Sequence, residues 1–140
     1  MKKFITLSAL LIAVAFTFSG CSKEKALTKR LVGTWNIDKY DGTITDAGGG
    51  LATPFSFSNV GTYTFKDDNT GSYSFVILGT TDNGTINWTN TENTVTITES
   101  GEPTLIYTVT TNEKTRQVWT TTYIDSDGDQ FSEVVTFSKK

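Results

Sequence analysis

The chain has 140 residues, with Lys+Arg 12 against Asp+Glu 15 and a formal net charge of −3. This acidic balance, with no basic aromatic stripe, argues against nucleic acid as a partner. The chain contains no histidine, which excludes a Ser–His or Cys–His nucleophile pair and a histidine general base, and the usual zinc ligands are missing. The sequence therefore predicts a protein that is not an enzyme and that uses no cofactor.

The first 20 residues have the pattern of an export signal. Lys2 and Lys3 provide a positive start, and a mostly apolar run follows from Phe4 to Phe18. This run is shorter than the roughly 20 residues that a spanning helix needs, and no other stretch approaches its length. We therefore expect residues 1–20 to form a cleaved signal-peptide helix, with no permanent membrane span elsewhere. Its loss would leave a mature chain with a net charge of about −5.

Cys21 is the only cysteine, so it cannot form an internal disulfide. It directly follows two small residues at the end of the apolar run. The segment Phe18–Cys21 resembles the lipobox of bacterial lipoproteins, whose cysteine carries diacylglycerol on sulfur and a fatty acid such as palmitate on its new amine. The resemblance implies a membrane anchor in the bacterial cell envelope. Ser22 is not acidic, which by resemblance to bacterial lipoprotein sorting rules favours the outer membrane, on its periplasmic or surface face. The alternative is an ordinary cleaved signal with an incidental cysteine.

Residues 21–30 are predicted to be a lipidated tether. The run Ser22–Thr28 is polar and mixed in charge, and it cannot bury enough apolar surface to fold alone. A helical turn at Lys25–Leu31 is the one helical feature expected outside the signal. Residues 31–140 are long enough for one domain and rich in the residue types that favour strands.

The first strand is predicted at Leu31–Tyr40. Gly33 and Trp35 are two residues apart and therefore lie on the same face of the strand. Lys39 is expected on that face too, at the solvent-exposed end of the strand. A large ring beside a residue without a side chain suits the closing floor of a small barrel.

The segment Asp41–Asn59 follows as the longest candidate loop, because Gly48–Gly50 interrupts its middle. We expect Gly48 to Phe57 to act as a lid. Alternating apolar and polar residues then predict seven further strands. They are Val60–Lys66, Ser72–Leu78, Thr85–Thr89, Thr94–Thr98, Thr104–Thr110, Thr115–Ile124 and Gln130–Ser138. About eight strands with short turns indicate an all-β, up-and-down antiparallel meander closed into a barrel, and the alternative is a two-sheet β-sandwich.

Three features together resemble the lipocalin-like domain of Bacteroidetes lipoproteins. They are the segment Leu31–Trp35, the Tyr63–Tyr73 hairpin and the short Thr-rich strands after it. The resemblance runs from Leu31 to the C-terminus and implies a calycin-type barrel in which Trp35 packs across the floor. It also implies that the barrel binds a small hydrophobic ligand. Lipocalins often cover this tryptophan with an arginine of the last strand. Here the basic residues near the chain end are Lys139 and Lys140, and Arg116 lies one strand earlier.

A ligand would bind among aromatic side chains on the inward faces of the strands. The candidates are Tyr63, Phe65, Tyr73, Phe75, Trp88, Tyr107 and Trp119. About 110 folded residues must bury most of their rings to be stable, which favours a filled core over a cavity. A filled barrel would instead be a non-enzymatic interaction or structural module of the envelope.

Two polar features are candidates for a site. Glu133 is in phase with apolar neighbours, so it could point inward with Arg116 as its partner and grip the head group of a ligand. The interpretation we favour is that a bulge leaves both in water. Asp125, Asp127 and Asp129 alternate like the first half of a calcium-binding EF-hand loop. The later glutamate and the flanking helices are missing, which favours a polar hairpin turn.

Overall fold

The computed structural model describes residues 23–140. The signal peptide and Cys21 lie outside the described residues. Eight strands follow a helix over residues 23–31: β1 (Gly33–Thr45), β2 (Thr53–Phe65), β3 (Thr70–Ile77), β4 (Thr80–Asn90), β5 (Thr94–Thr98), β6 (Leu105–Asn112), β7 (Arg116–Ile124) and β8 (Gln130–Lys139). The predicted all-β meander is confirmed.

The sheet closes because its last strand pairs with its first. Each strand is antiparallel to the next, and β8 returns to β1 in a ladder from Trp35 opposite Lys139 to Thr45 opposite Gln130. The architecture is therefore a closed barrel and not a two-sheet sandwich. Closure gives the first and last strands the partners that an open sheet would leave exposed at its edges.

The helix closes the end of the barrel at which β1 begins, here called the floor. Leu27 and Leu31 lie four residues apart on one helix face, and both are completely buried. They pack into the same core cluster as Trp35. Residues 23–30 thus differ from the tether predicted for them, because the barrel supplies the apolar cover that the isolated segment lacks. No helix of residues 23–140 is long and apolar enough to cross a membrane.

Trp35 joins the helix to the barrel. Its Nε1 donates to the Leu31 carbonyl at 2.7 Å. The Lys139 Nζ lies 4.5 Å from the centroid of the Trp35 ring, within the range of a cation–π contact. The same ammonium donates to the carbonyls of Arg30 at 2.8 Å and Val32 at 2.6 Å. Lys139 is therefore the basic residue that covers the floor tryptophan.

Gly33 is required at this junction by conformation and by space. Its φ is +123°, in the region that side chains disfavour. A Cβ atom at this position would lie 2.9 Å from the Lys139 Nζ. Any larger residue would have to displace the lysine from the tryptophan.

The connection between β1 and β2 is shorter than predicted. The prediction of a loop over Asp41–Asn59 is wrong, because β1 continues to Thr45 and β2 already begins at Thr53. The predicted Gly48–Phe57 lid is wrong as a loop, since residues 53–57 form a strand. Only residues 46–52 connect the strands, and the glycine run occupies this turn without interrupting the ladders beside it.

We expect Leu27→Ala to lower the free energy of unfolding by about 2–5 kcal/mol, because it removes a fully buried side chain that nothing nearby can replace. Urea denaturation of residues 23–140 measures the change. Lys25→Ala, on the exposed face of the same helix, is the matched control and should change stability by less than about 0.5 kcal/mol. Equal effects of the two changes would mean that the helix does not pack on the barrel.

Candidate functional site

The floor half of the barrel interior is filled with aromatic rings. Phe65 lies edge-on to Trp88 with ring centroids 5.4 Å apart, and its ring is 5.7 Å from Trp119. Trp119 in turn packs 4.6 Å from Phe137. Phe65 and Trp88, both predicted as ligand contacts, belong to this packed layer. The expectation of a filled core holds for this half of the barrel.

The other half contains a cavity of about 600 Å³. Five of the seven predicted aromatic contacts line it: Tyr63, Tyr73, Phe75, Tyr107 and Trp119. The cavity reaches the end of the barrel opposite the helix, here called the mouth, where Leu105 and Phe131 join its wall. A filled interior is therefore wrong for this half, because the rings stand around a space instead of closing it.

Glu133 is a buried carboxyl in the cavity wall, with 2% of its surface exposed. The Tyr40 hydroxyl donates to its Oε1 at 2.5 Å, and the Tyr123 hydroxyl donates to the same oxygen at 2.9 Å. Burial raises the pKa of Glu133, while hydrogen bonds from Tyr40, Tyr123 and Tyr107 oppose the rise. Burial, followed by the Glu133 charge, also raises the pKa of Tyr40 and Tyr123. The phenols therefore remain neutral donors to this carboxyl.

The predicted Arg116–Glu133 pair does not form. Arg116 is exposed at the floor end of β7, opposite Ser138. Glu133 lies five residues before Ser138 in β8, towards the other end of the barrel and opposite Thr121. The favoured alternative, with both groups in water, is right for Arg116 and wrong for Glu133, because β8 keeps its phase and turns Glu133 inward. Phenols take the place of the arginine as hydrogen-bond partners.

Tyr40 is a site residue that strand periodicity misses. The register of β1 shifts between Ile37 and Lys39 against both neighbouring strands. This one-residue bulge turns Lys39 outward and brings Tyr40 into the cavity wall, where simple alternation would have placed the lysine. The positive φ of Asn59, at 55° on the opposing strand, marks the same irregularity.

The mouth of the cavity is acidic. Besides Glu133, four acidic residues line it: Asp82, Glu99, Glu102 and Asp125. The Tyr73 hydroxyl donates to Glu99 at 2.9 Å, which fixes that carboxyl at the rim. Among residues 23–140, no lysine or arginine lines the cavity. The site therefore combines aromatic walls with a uniformly negative rim.

The aspartate-rich segment between β7 and β8 is organised as a turn. Asp125 Oδ1 accepts the backbone N–H groups of Asp127 and Asp129, both at 2.9 Å. Asp129 Oδ1 accepts the N–H of Ala47 at 2.9 Å and so ties this turn to the β1–β2 connection. In the part of the chain that the structure describes, no three His, Cys, Asp or Glu side chains gather to hold a metal ion.

Sequence comparison finds no relative: no protein-family model matches the chain, and no curated protein matches it. Comparison of folds does find similar structures. The bovine odorant-binding protein in complex with a selenium-containing odorant is 18% identical, with a TM-score of 0.50 over 81% of this chain and 72% of that chain. The bovine protein complexed with its natural ligand is 18% identical, with a TM-score of 0.49 over 79% of this chain and 72% of that chain. A redesigned β-barrel is 20% identical, with a TM-score of 0.45 over 81% of this chain and 95% of that chain.

At these identities the similarity is one of fold. The structure neighbours include odorant-binding proteins of the lipocalin/calycin type, which are built on an eight-stranded closed barrel. The chain described here has the same architecture, an antiparallel meander closed by pairing of β1 with β8. The class that the fold defines is therefore an eight-stranded, up-and-down antiparallel β-barrel.

We expect the stability contributed by Glu133 to fall as pH rises. Burial holds its pKa in the folded protein above the ordinary 4.5, so the folded state binds this proton more readily than the unfolded chain does. The contribution is fully present below the unfolded pKa and is lost as pH rises through the folded pKa. Glu133→Gln removes this dependence, so wild type should lose stability relative to the variant as the pH rises above the ordinary carboxyl pKa of 4.5.

Urea denaturation of both proteins at each pH measures the difference. Glu113→Gln, in the exposed turn between β6 and β7, is the matched control. A difference for Glu133→Gln that does not change with pH would contradict a shifted carboxyl in the cavity wall.

Proposed function

We propose that this protein is a non-enzymatic lipocalin-like barrel that binds a small hydrophobic ligand in the cavity at its mouth. The observation that carries the proposal is the cavity itself. Its volume of about 600 Å³ lies within the roughly 300–1,000 Å³ of small-molecule sites. Its wall is mainly aromatic and aliphatic, with Glu133 and its phenols inside and further carboxyl groups at the rim. Apolar walls with a small number of polar groups are typical of such sites.

The fold comparison supports the same function. The neighbour with a TM-score of 0.50 is an odorant-binding protein in complex with a selenium-containing odorant. In this chain the packed rings near the floor stabilise the barrel, so the rings near the mouth are free to contact a ligand. The predicted ligand contacts then reduce to Tyr63, Tyr73, Phe75, Tyr107, Trp119 and Glu133 of the original set, with Tyr40 added.

We further propose that the protein is a lipoprotein of the bacterial envelope, processed after residue 20 and acylated at Cys21. The lipobox-like sequence Phe18–Cys21 supports this proposal. Cys21 precedes the floor helix by two residues, so an anchor there would hold the floor against an outer-membrane leaflet. The mouth would then face away from the lipid, on the periplasmic or surface side.

We expect Leu105→Trp to weaken binding of N-phenyl-1-naphthylamine, a neutral hydrophobic fluorophore, by about tenfold or more. Leu105 lines the mouth of the cavity, and the larger indole would occupy the entrance. Ile106→Trp is the matched control, because the adjacent side chain is 58% exposed on the outside of the barrel. Titration of the dye fluorescence measures both affinities, and equal affinities would place dye binding outside the cavity.

We expect the wild-type protein to incorporate labelled palmitate when expressed in a bacterial host, and Cys21→Ala to lose the label. The reason is that only the cysteine sulfur and the amine released beside it can carry the acyl chains. Gel autoradiography and mass spectrometry of the mature N-terminus measure the modification. Label that persists in Cys21→Ala would contradict the proposed anchor.

A further inference from the structure

We propose that the cavity selects ligands that carry a positive charge on an apolar body, of the alkylammonium class, over neutral or anionic ligands of the same length. This inference rests on the proposed function and specifies the substrate class of the same site.

The first observation is the sign of the charges around the cavity. Five carboxyl groups line it, and none of the lysine or arginine residues in 23–140 does. Four of the carboxyls surround the mouth, and Glu133 lies deeper in the wall. A fatty-acid head group entering this site would meet like charge at the rim and again inside, with no basic partner to offset its desolvation.

The second observation is the distribution of charge along the barrel. The connections at the mouth are residues 46–52, 78–79, 99–104 and 125–129. They contain six acidic residues and no basic residue: Asp46, Glu99, Glu102, Asp125, Asp127 and Asp129. Nine of the ten lysine and arginine residues in 23–140 lie instead around the floor, on the helix, near the turns after β2 and β6, and at the C-terminus. The tenth, Lys39 in β1, forms an ion pair with Asp41 at 2.7 Å. The resulting field draws cations towards the mouth and repels anions from it.

The third observation is the environment of Glu133 inside the cavity. Tyr40 and Tyr123 both donate to Oε1, and Tyr107 adds a third hydrogen bond to this carboxyl. A carboxylate has about four acceptor sites, so one remains for a donor from a ligand. An ammonium group bound to Oε2 would compensate a carboxylate that is otherwise buried without a counter-ion. The faces of Tyr63, Tyr107 and neighbouring rings would add cation–π attraction. The phenols thus orient the carboxyl, and the ligand supplies the positive charge.

The test compares three ten-carbon probes that differ in the head group: decylammonium, decanol and decanoate. Each is titrated against the wild-type protein carrying bound N-phenyl-1-naphthylamine, below the micelle concentration of the probe. We expect decylammonium to displace the dye at a concentration about tenfold lower than decanol, and decanoate to be the weakest. Added salt should reduce this advantage of decylammonium over decanol.

Variants locate the source of the preference. Glu133→Gln should reduce the ratio of decylammonium to decanol affinity by about tenfold, while Glu113→Gln, far from the cavity, should leave that ratio unchanged. Glu99→Gln at the rim is a second variant, in case Glu133→Gln fails to fold, and should reduce the ratio less. Calorimetry of decylammonium with Leu105→Trp, which should bind it weakly, separates binding in the cavity from binding on the acidic surface.

The outcomes separate the two proposals. Decanol or decanoate displacing the dye as well as decylammonium would overturn the charge preference and leave ligand binding standing. A decylammonium preference that survives both acidic variants and Leu105→Trp would also overturn the inference, because the cation would then bind elsewhere. Failure of the dye and all three probes to bind wild type would overturn both proposals.

Discussion

The structure depends on the ladder between β1 and β8, which joins the two ends of the folded chain. Without it the meander would be an open sheet, and its inward rings would face water on the side of the missing pair. The ladder also brings Tyr40 opposite Val135 and Gly42 opposite Glu133. The same backbone pairing that completes the barrel therefore places the phenol of the first strand beside the carboxyl of the last.

The two halves of the barrel serve different purposes. The floor is closed by the helix, the Trp35 ring and Lys139. Trp35 donates a hydrogen bond to the helix, and Lys139 contacts both the Trp35 ring and the helix. Beyond this layer the rings are stabilised by the strands and by one another, as in the stacked pair of Tyr63 and Phe65 with centroids 5.5 Å apart. A small domain has limited apolar surface with which to stabilise itself. Packing one half densely is what allows the other half to remain hollow.

Much of this fold could be predicted from the sequence, because alternation with period two is a local property that strands preserve. The strands from Ser72 onwards follow from it, except for the first residues of β4, which begins at Thr80 and not at Thr85. The barrel and the inward position of Trp35 follow from it as well. The β1–β2 region could not be predicted, because a bulge beside Asp38 changes the face of Lys39 and Tyr40 without any mark in the residue types. The docking of Leu27 could not be predicted either, since it depends on a floor that exists only once the barrel has closed.

The sequence predicts the aromatic side chains of the site but not the hydrogen-bond partners of Glu133. Aromatic residues on inward faces are indicated by strand phase, but phase does not say which layer is packed and which is empty. A buried carboxyl usually needs a cationic partner, so the sequence indicates Arg116 as the partner of Glu133. The chain uses hydroxyl donors from three different strands, and such an arrangement is visible only once the strands are side by side.

A barrel closed by a helix at one end is a blind tube. Water displaced by an arriving molecule must leave past that molecule through the opening by which it entered, and a bound molecule can depart only by reversing its path. Residence time would then be governed at the rim, by the turns between the strands, more than by the depth of the tube. Substitutions in those turns could alter exchange while the equilibrium fit of the interior stayed the same.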